Sequence, residues 1–514
     1  MILFVHKVAS WILKRRMDHV TGFCKDPIAS QVRLFQELLS TAAHTEWGKH
    51  YQYASIHSHE DFAARVPING YEQLFPWIER TIKGQKDVLW PGRIGWFAKS
   101  SGTTNDKSKY IPVTPEALDA CHYAAGQDML ALYLEHHPES RLFTGKTLSI
   151  GGSHTIHHLN HGARCGDVSA VLLENLPKFY EMVRTPGKNI ALMDQWEEKI
   201  EAMAREVMEE DVTSMVGVPT WTMVLINKIF DLTGNHSRNL LDIWPNLELY
   251  VHGGVSFEPY REEFKRIIPS ESMTYLDCYN ASEGFFAVQD DPTISSMLLL
   301  LDYGVFYEFI PAEHVGKPHP PVHTIADVEV GRNYAIAIST NAGLWRYLIG
   351  DTIVFDSLSP HRIRITGRTK HFINAFGEEL MVDNAERAMA SASAATGAQV
   401  ENYTAAPVYF EGTSKGAHEW LVEFLTPPRD QDHFFQILDQ TLMRLNSDYE
   451  AKRTGNLALR FPEYKVLEPG TFQAWMKQRG KLGGQHKVPR LANNRQYVDD
   501  ILKMVHVGQD LSQP

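Results

Sequence analysis

The sequence predicts an α/β multi-layer large N-terminal domain with an added β-rich subdomain, followed by a small C-terminal α+β domain. Three observations lead there. Between about 146 and 257, short β-rich runs (KTLSIGGS, TSMVGVPTW, WPNLELYVHGGVSF) alternate with helical stretches such as LMDQWEEKIEAMAREVMEEDV, the pattern of a layered α/β body. From about 295 the chain turns to consecutive strands, SSMLLLLDYGVFYEFIP, HTIADVEVGRNYAIAIST and TIVFDSLSPHRIRITGR. These are expected to form an antiparallel sheet or barrel attached to the body. After RITGRTKHFIN come a helix (VDNAERAMASASAATG), two strands (VENYTAAPVYF, HEWLVEFL) and a further helix, DHFFQILDQTLMRLNSDYEAKR. That succession reads as a separate domain whose boundary falls near 367 to 380, dividing the chain into 1–370 and 371–514. Ahead of the body, residues 25 to 85 read as helices; the first opens on Asp26-Pro27, a cap followed by proline in the first turn.

Bulk properties narrow the function. At 514 residues the chain is too long for one core, and 43% hydrophobic with 22% charged residues is an ordinary globular composition. A net charge of −12 disfavours nucleic acid as a partner, because non-specific binding there relies on a basic face. Cys24, Cys121, Cys165 and Cys278 are far apart and form no CxxC pair, so free thiols in a reducing cytoplasm are expected. The N-terminal MILFVHKVASWILKRR carries its basic cluster after its apolar run, the reverse of a secretory signal. It is also shorter than the ~20 apolar residues a membrane span needs, and no integral membrane association is expected.

The stretch SSGTTNDKSK (100–109) stands apart: four hydroxyl side chains before residue 105, a glycine and two lysines, with no aliphatic residue. An anion site needs backbone N–H groups and hydroxyls converging on oxygen, with a cation nearby. Ser100, Ser101, Thr103 and Thr104 supply hydroxyls, Gly102 lets the backbone approach, and Lys107 or Lys109 supplies charge. A solvated polar turn has the same composition. Two other signals fail. GKT at 145–147 lacks the glycine a P-loop needs at 140, which is Ser140, and it runs into a strand where a P-loop opens a helix. His154, His157, His158 and His161 have metal-like spacing but sit in a Gly/Asn-rich stretch with no carboxylate pair nearby, so loop histidines are expected.

Three downstream stretches add chemistry. YNASEG (279–284) puts Glu283 at a turn, where a carboxylate can hold Mg²⁺ beside a nucleotide. GLWRYLIGD (343–351) ends a strand on Asp351, able to accept hydrogen bonds from both hydroxyls of a ribose. HGGVSF (252–257) places paired glycines, Gly253 and Gly254, at a strand end, where a flat ring can lie against backbone. Each alone is equally a cap or a turn.

Taken in order, SSGTT…K, GG, YxxSEG, WRYxxGD and TGRxK resemble the nucleotide-binding series of the firefly luciferase-like, adenylate-forming enzymes. Within them, WPNLELYVHGGVSFEPY, AGLWRYLIGD and the tail QHKVPR resemble the acyl acid amido synthetases, the auxin-responsive promoter family, over about 60 to 505. The resemblance implies the adenylate-forming fold, with a mobile C-terminal domain, and a ligase that uses ATP and Mg²⁺. It would activate a carboxylic acid as acyl-AMP and transfer the acyl group to an amine such as an amino acid. It implies phosphate contacts from Ser100, Ser101, Gly102, Thr103, Thr104 and Lys109, and an adenine border of Gly253, Gly254, Tyr279, Asn280, Ala281 and Ser282. Glu283 would hold Mg²⁺, Asp351 the ribose, and Arg368 the nucleotide from the hinge. Lys487 would serve the first half-reaction. Val218, Trp221 and Leu225, in VGVPTWTMVLI, match the family's acyl-binding helix, although core packing explains the same pattern. The loop departs from the wider superfamily at Asn105 and Asp106, where glycine is usual, which leaves open whether Lys107 or Lys109 meets the phosphates. An acyl-CoA ligase and a non-catalytic nucleotide-binding module are the competing functions.

Overall fold

The computed structural model describes residues 13, 15–100, 109–151, 156–193, 195–317, 319–368, 372–410, 414–479 and 488–510. Two compact units emerge, the first containing Met1–Ser100, Lys109–Phe257 and Lys265–Thr369, the second Glu258–Phe264 and Lys370–Pro514.

In the first unit the helix Pro27–Ala42 starts as its sequence dictates. The Asp26 side chain accepts from the Ala29 N–H at 3.2 Å, proline occupies the first turn, and Leu34, Phe35, Leu38 and Leu39 form the buried face. Strands follow in chain order as β1 (Trp96–Ser100), β2 (Lys109–Val113), β3 (Lys146–Ile150), β4 (His157–His158) and β5 (Arg164–Gly166). Next come β6 (Arg184–Thr185), β7 (Val212–Gly217), β8 (Leu249–Gly253), β9 (Thr274–Ala281) and β10 (Gly284–Val288). The last are β11 (Met297–Leu299), β12 (Val305–Pro311), β13 (Asn333–Thr340), β14 (Tyr347–Leu358) and β15 (His361–Arg368). A small sheet has the order β2-β1-β5-β4.

The large sheet has eleven strands, β12-β13-β14-β15-β11-β10-β9-β8-β7-β3-β6. Here the structure refines the expectation of an antiparallel sheet or barrel attached to the α/β body. The parallel arm (β6, β3, β7, β8, β9) and the antiparallel arm (β10 to β15) are one continuous sheet. They meet at the β9–β10 hairpin, where Ala281 pairs with Gly284 and the chain reverses over Ser282-Glu283. Among the described residues no helix is long and apolar enough to cross a membrane.

The second unit holds a three-stranded sheet of β18 (Gln399–Val408), β19 (Ala417–Thr426) and β20 (Glu463–Leu467), after a short pair β16 (Phe372–Ile373) and β17 (Leu380–Met381). The helical run read as continuous over 432–453 is two helices, Gln431–Leu445 and Ser447–Arg453. Asn446 divides them: its side chain accepts from the Asp448 and Tyr449 N–H groups at 2.9 Å, a cap that competes with helix continuation.

Candidate active site

The β9–β10 hairpin is the natural starting point, because it sits where the sheet changes from parallel to antiparallel, at the C-terminal end of the last parallel strand. Tyr279, near the end of β9, is buried and donates its hydroxyl to Asp351 Oδ2 at 2.5 Å. Asp351 lies on β14 directly opposite Arg368 on β15, and Arg368 Nε donates to Asp351 Oδ1 at 2.7 Å. Three residues singled out in separate motifs therefore meet on one carboxylate. Burial, reinforced by the Asp351 charge, pushes the Tyr279 phenol well above its ordinary range, so it remains a hydrogen-bond donor. Each Asp351 oxygen accepts one bond here, leaving lone pairs that can accept from hydroxyl groups.

Ser100 ends β1 and pairs with Lys109, which begins β2. Ser101, Gly102, Thr103, Thr104 and Lys107 lie outside the described residues, as do Lys487 and His154. Lys109 itself is placed by two tyrosines. Its Nζ donates to Tyr347 Oη at 3.5 Å and lies 5.8 Å from the Tyr71 ring centroid. The Tyr71 hydroxyl also accepts from the Tyr110 N–H at 2.7 Å, fixing the start of β2. Tyr347 is fully buried, and its phenol is pushed well above the ordinary range by burial first and by the Glu283 charge second.

Glu283 is a single half-buried carboxylate, and no group of three or more His, Cys, Asp or Glu gathers among the described residues. That donor set fits Mg²⁺, which is held by one or two carboxylates with phosphate and water oxygens completing its shell. It does not make a dedicated metal centre. His157 and His158 are exposed, but they stand on the short strand β4 paired with β5 and not in the loop expected of them.

The paired glycines are required by packing. A Cβ on Gly253 would come within 2.5 Å of the Cys278 carbonyl oxygen on β9, and Gly254 adopts φ +80°. Val218 packs beside this turn, 3.5 Å from the Cβ position of Gly254. Trp221 and Leu225, on the helix Pro219–Thr233, are 3% and 0% exposed and buried in the core. An open cavity of about 1090 Å³ lies elsewhere, lined by Ile28, Val32, Phe306 and Leu348 among others.

Sequence reasoning missed Tyr71, Tyr347 and His122. Tyr347 stands inside the WRYLIGD motif, but an aromatic in a strand reads as core. His122 lies in the π-helical turn Ala117–Tyr123 and is buried. Burial pushes it down to about 4, so it stays neutral.

Three family models match the chain. The GH3 family N-terminal domain covers residues 16–273, the central domain 298–368 and the C-terminal domain 383–496. The indole-3-acetic acid-amido synthetase GH3.8 of Oryza sativa subsp. indica is 23% identical, over 90% of this chain and 88% of its own. The indole-3-acetic acid-amido synthetase GH3.3 of Arabidopsis thaliana is 21% identical, over 90% of this chain and 88% of its own. Among solved structures, the GH3.15 acyl acid amido synthetase superposes with a TM-score of 0.61 at 16% identity, covering 95% of this chain and 96% of that one. A 2-hydroxyisobutyryl-CoA ligase with its acyl-AMP and coenzyme A gives 0.54 at 12% identity, covering 94% and 93%. The last two likenesses establish a shared adenylate-forming fold.

Proposed function

The chain belongs to the GH3 family, and from that premise we propose that it is an ATP-dependent acyl acid amido synthetase acting in the cytoplasm. The observation that carries the reading is the convergence of Tyr279 and Arg368 on the Asp351 carboxylate, with Lys109 held against Tyr347 on the neighbouring strand end. Named amido synthetases of the same family match it over nine-tenths of its length. Four cysteines without disulfides suit a reducing compartment.

A carboxylate is a poor acyl donor because its leaving group would be oxide. In the proposed reaction, a carboxylate oxygen of the acid attacks the α-phosphorus of ATP, the bond to the β-phosphate oxygen breaks, and pyrophosphate leaves. The nitrogen of an amine, expected to be an amino acid, then attacks the acyl carbon. The bond to the adenylate oxygen breaks, AMP leaves with that electron pair, and the nitrogen loses a proton to water. No covalent enzyme intermediate is needed. The residues therefore act by positioning and charge. Asp351 accepts from the ribose hydroxyls while Arg368 and Tyr279 hold its orientation. Lys109 and the hydroxyl loop meet the phosphates, and Lys487 joins the first half-reaction. Tyr279, Asn280 and the Gly253-Gly254 turn border the adenine, with Val218 the best placed of the three acyl-pocket candidates. Glu283 would hold Mg²⁺, which when bound neutralises phosphate charge.

Pyrophosphate exchange with radiolabelled ATP, over a panel of carboxylic acids, tests the first step. Exchange with at least one acid is expected, and its abolition in Glu283→Ala. Adding amino acids in one assay and coenzyme A in another then separates amide from thioester. Thioester alone would replace this reading by an acyl-CoA ligase; no exchange with any acid would leave a nucleotide-binding module.

A further inference from the structure

His252 stands directly before the paired glycines, at the C-terminal end of β8, with Gly217 of β7 on one side and Asp277 of β9 on the other. Ligands of parallel sheets gather at this end of the strands. The ring is 2% exposed, yet neither nitrogen has a hydrogen-bond partner among the described residues. Its Nδ1 lies 3.5 Å from Asp277 Oδ1, outside hydrogen-bond geometry. Packing alone does not call for an imidazole here. The ring stacks on Phe257 with centroids 4.0 Å apart and planes 15° apart, and the Tyr250 ring stands edge-on at 5.6 Å. Phenylalanine would make the same stack without burying two polar atoms, so the nitrogens carry a cost that packing does not offset.

Side chains alternate along a strand, so His252 shares a sheet face with Tyr250. The Tyr250 hydroxyl lies 3.1 Å from the Gly217 carbonyl oxygen and 3.0 Å from Thr222 Oγ1, which brings this face against the start of the helix Pro219–Thr233. That helix carries Trp221 and Leu225, and Val218 just before it reaches the Gly254 position. His252 therefore sits where the glycine turn of the nucleotide site meets the helix of the acyl-pocket candidates. An ionised carboxylate can only accept, so the nitrogen facing Asp277 is the one that carries the proton in the neutral tautomer. Nε2 is then a bare acceptor in an aromatic setting, and the partner it lacks is a donor.

We propose that His252 determines acyl specificity, its Nε2 accepting a hydrogen bond from a hydroxyl or N–H group on the body of the acid. The substrate class is a largely apolar carboxylic acid with a hydrogen-bond donor remote from its carboxylate. A pocket built around a buried acceptor rejects the analogue without the donor, because binding leaves the acceptor dry and unpaired. The inference rests on the synthetase reading given above and adds a substrate class to it.

The test uses the full chain and matched acids that differ chiefly in the donor: hydroxyphenylpropionate against phenylpropionate, and indole acetate against naphthalene acetate. Pyrophosphate exchange gives kcat/KM for each acid. Wild type is expected to prefer the donor-bearing member of at least one pair by about tenfold or more. His252→Phe keeps the stack and removes the acceptor. It should bring that ratio to within about twofold, with KM for ATP within about threefold of wild type and the melting temperature not lowered. A wild type that treats both members of each pair alike overturns the inference, whether or not His252→Phe folds. So does a His252→Phe protein that keeps the preference. A variant in which KM for ATP rises and all acids lose equally also overturns it, because that marks a residue that only holds the glycine turn. No exchange with any acid overturns the synthetase reading and this inference with it, whereas exchange without discrimination overturns the inference alone.

Discussion

Two arginine–carboxylate pairs are anchored in the segment Gly343–Asp351 and just beyond it, and they differ in what they leave over. Arg346 meets Glu308 through Nε at 2.9 Å and Nη2 at 2.8 Å, while its Nη1 donates to the carbonyls of Ala63 and Val66 at 3.1 and 2.6 Å. His59 Nε2 takes a further position on Glu308 at 2.8 Å. These side chains are 3% and 0% exposed, so the pair is consumed by the protein. Arg368 and Asp351 are 21% and 10% exposed, and each Asp351 oxygen accepts one bond, from Arg368 and Tyr279. Residual accessibility and spare lone pairs mark the second pair as the one a ligand can use. The buried pair fixes the chain path that delivers the accessible one. Its local cost is visible in Arg346 at φ +46°, and Gly343 is needed because a Cβ there would lie 2.8 Å from Leu89 Cβ.

The largest effect is expected at the buried pair. Arg346→Met strands the Glu308 carboxylate without its main partner, and such losses cost about 3–5 kcal/mol. Urea denaturation should show a large fall in midpoint or an insoluble product. Arg346→Met with Glu308→Leu should recover much of the loss, since replacing both charges is far less costly than orphaning one.

At the accessible pair the balance between stability and activity reverses. Asp351→Asn keeps the shape and one acceptor, so the melting temperature should move little. The loss of a charge-assisted bond to a ribose hydroxyl should lower kcat/KM for ATP roughly 10- to 100-fold in the exchange assay. A large stability loss with a normal kcat/KM in the folded fraction would make Asp351 a structural residue like Glu308.

The same contrast accounts for which features are legible in the amino-acid sequence. The loop at 100–109, the YNASEG turn and Asp351 are legible because polar residues at strand ends have few structural excuses. The fold class follows from alternation of helical and β patterns. Tyr347 and His122 are not legible, because an aromatic or histidine inside an apolar run reads as packing until its partners are known. Glu308 and Arg346 lie 38 residues apart, and nothing in their local sequence announces the pairing. The union of both strand arms into one sheet depends on long-range ladders, β11 with β15 above all, that periodicity does not encode.

A third cluster joins a fully buried carboxylate to cations more exposed than either arginine above, and its distinguishing variable is pH. Asp128 is fully buried and accepts from Arg16, from Tyr303 at 2.6 Å and from His19 at 3.3 Å, while His19 also meets Asp302 at 3.2 Å. Burial alone would raise the Asp128 carboxyl, but the hydrogen bonds from His19, Arg16 and Tyr303 outweigh it and hold it low. The same bonds, to Asp128 first and then Asp302, raise His19 to about 9. A folded-state value above the unfolded 6.5 means that the protonated ring contributes stability fully below about pH 6.5. That contribution disappears as pH climbs through about 9. The melting temperature should therefore fall between about pH 6.5 and pH 9. His19→Gln should flatten that slope with a modest loss at the acid end, because the ring is partly open to solvent. An equal slope in His19→Gln and wild type would show that the cluster behaves as an exposed surface pair, with no share in the tight carboxylate capture seen at Glu308.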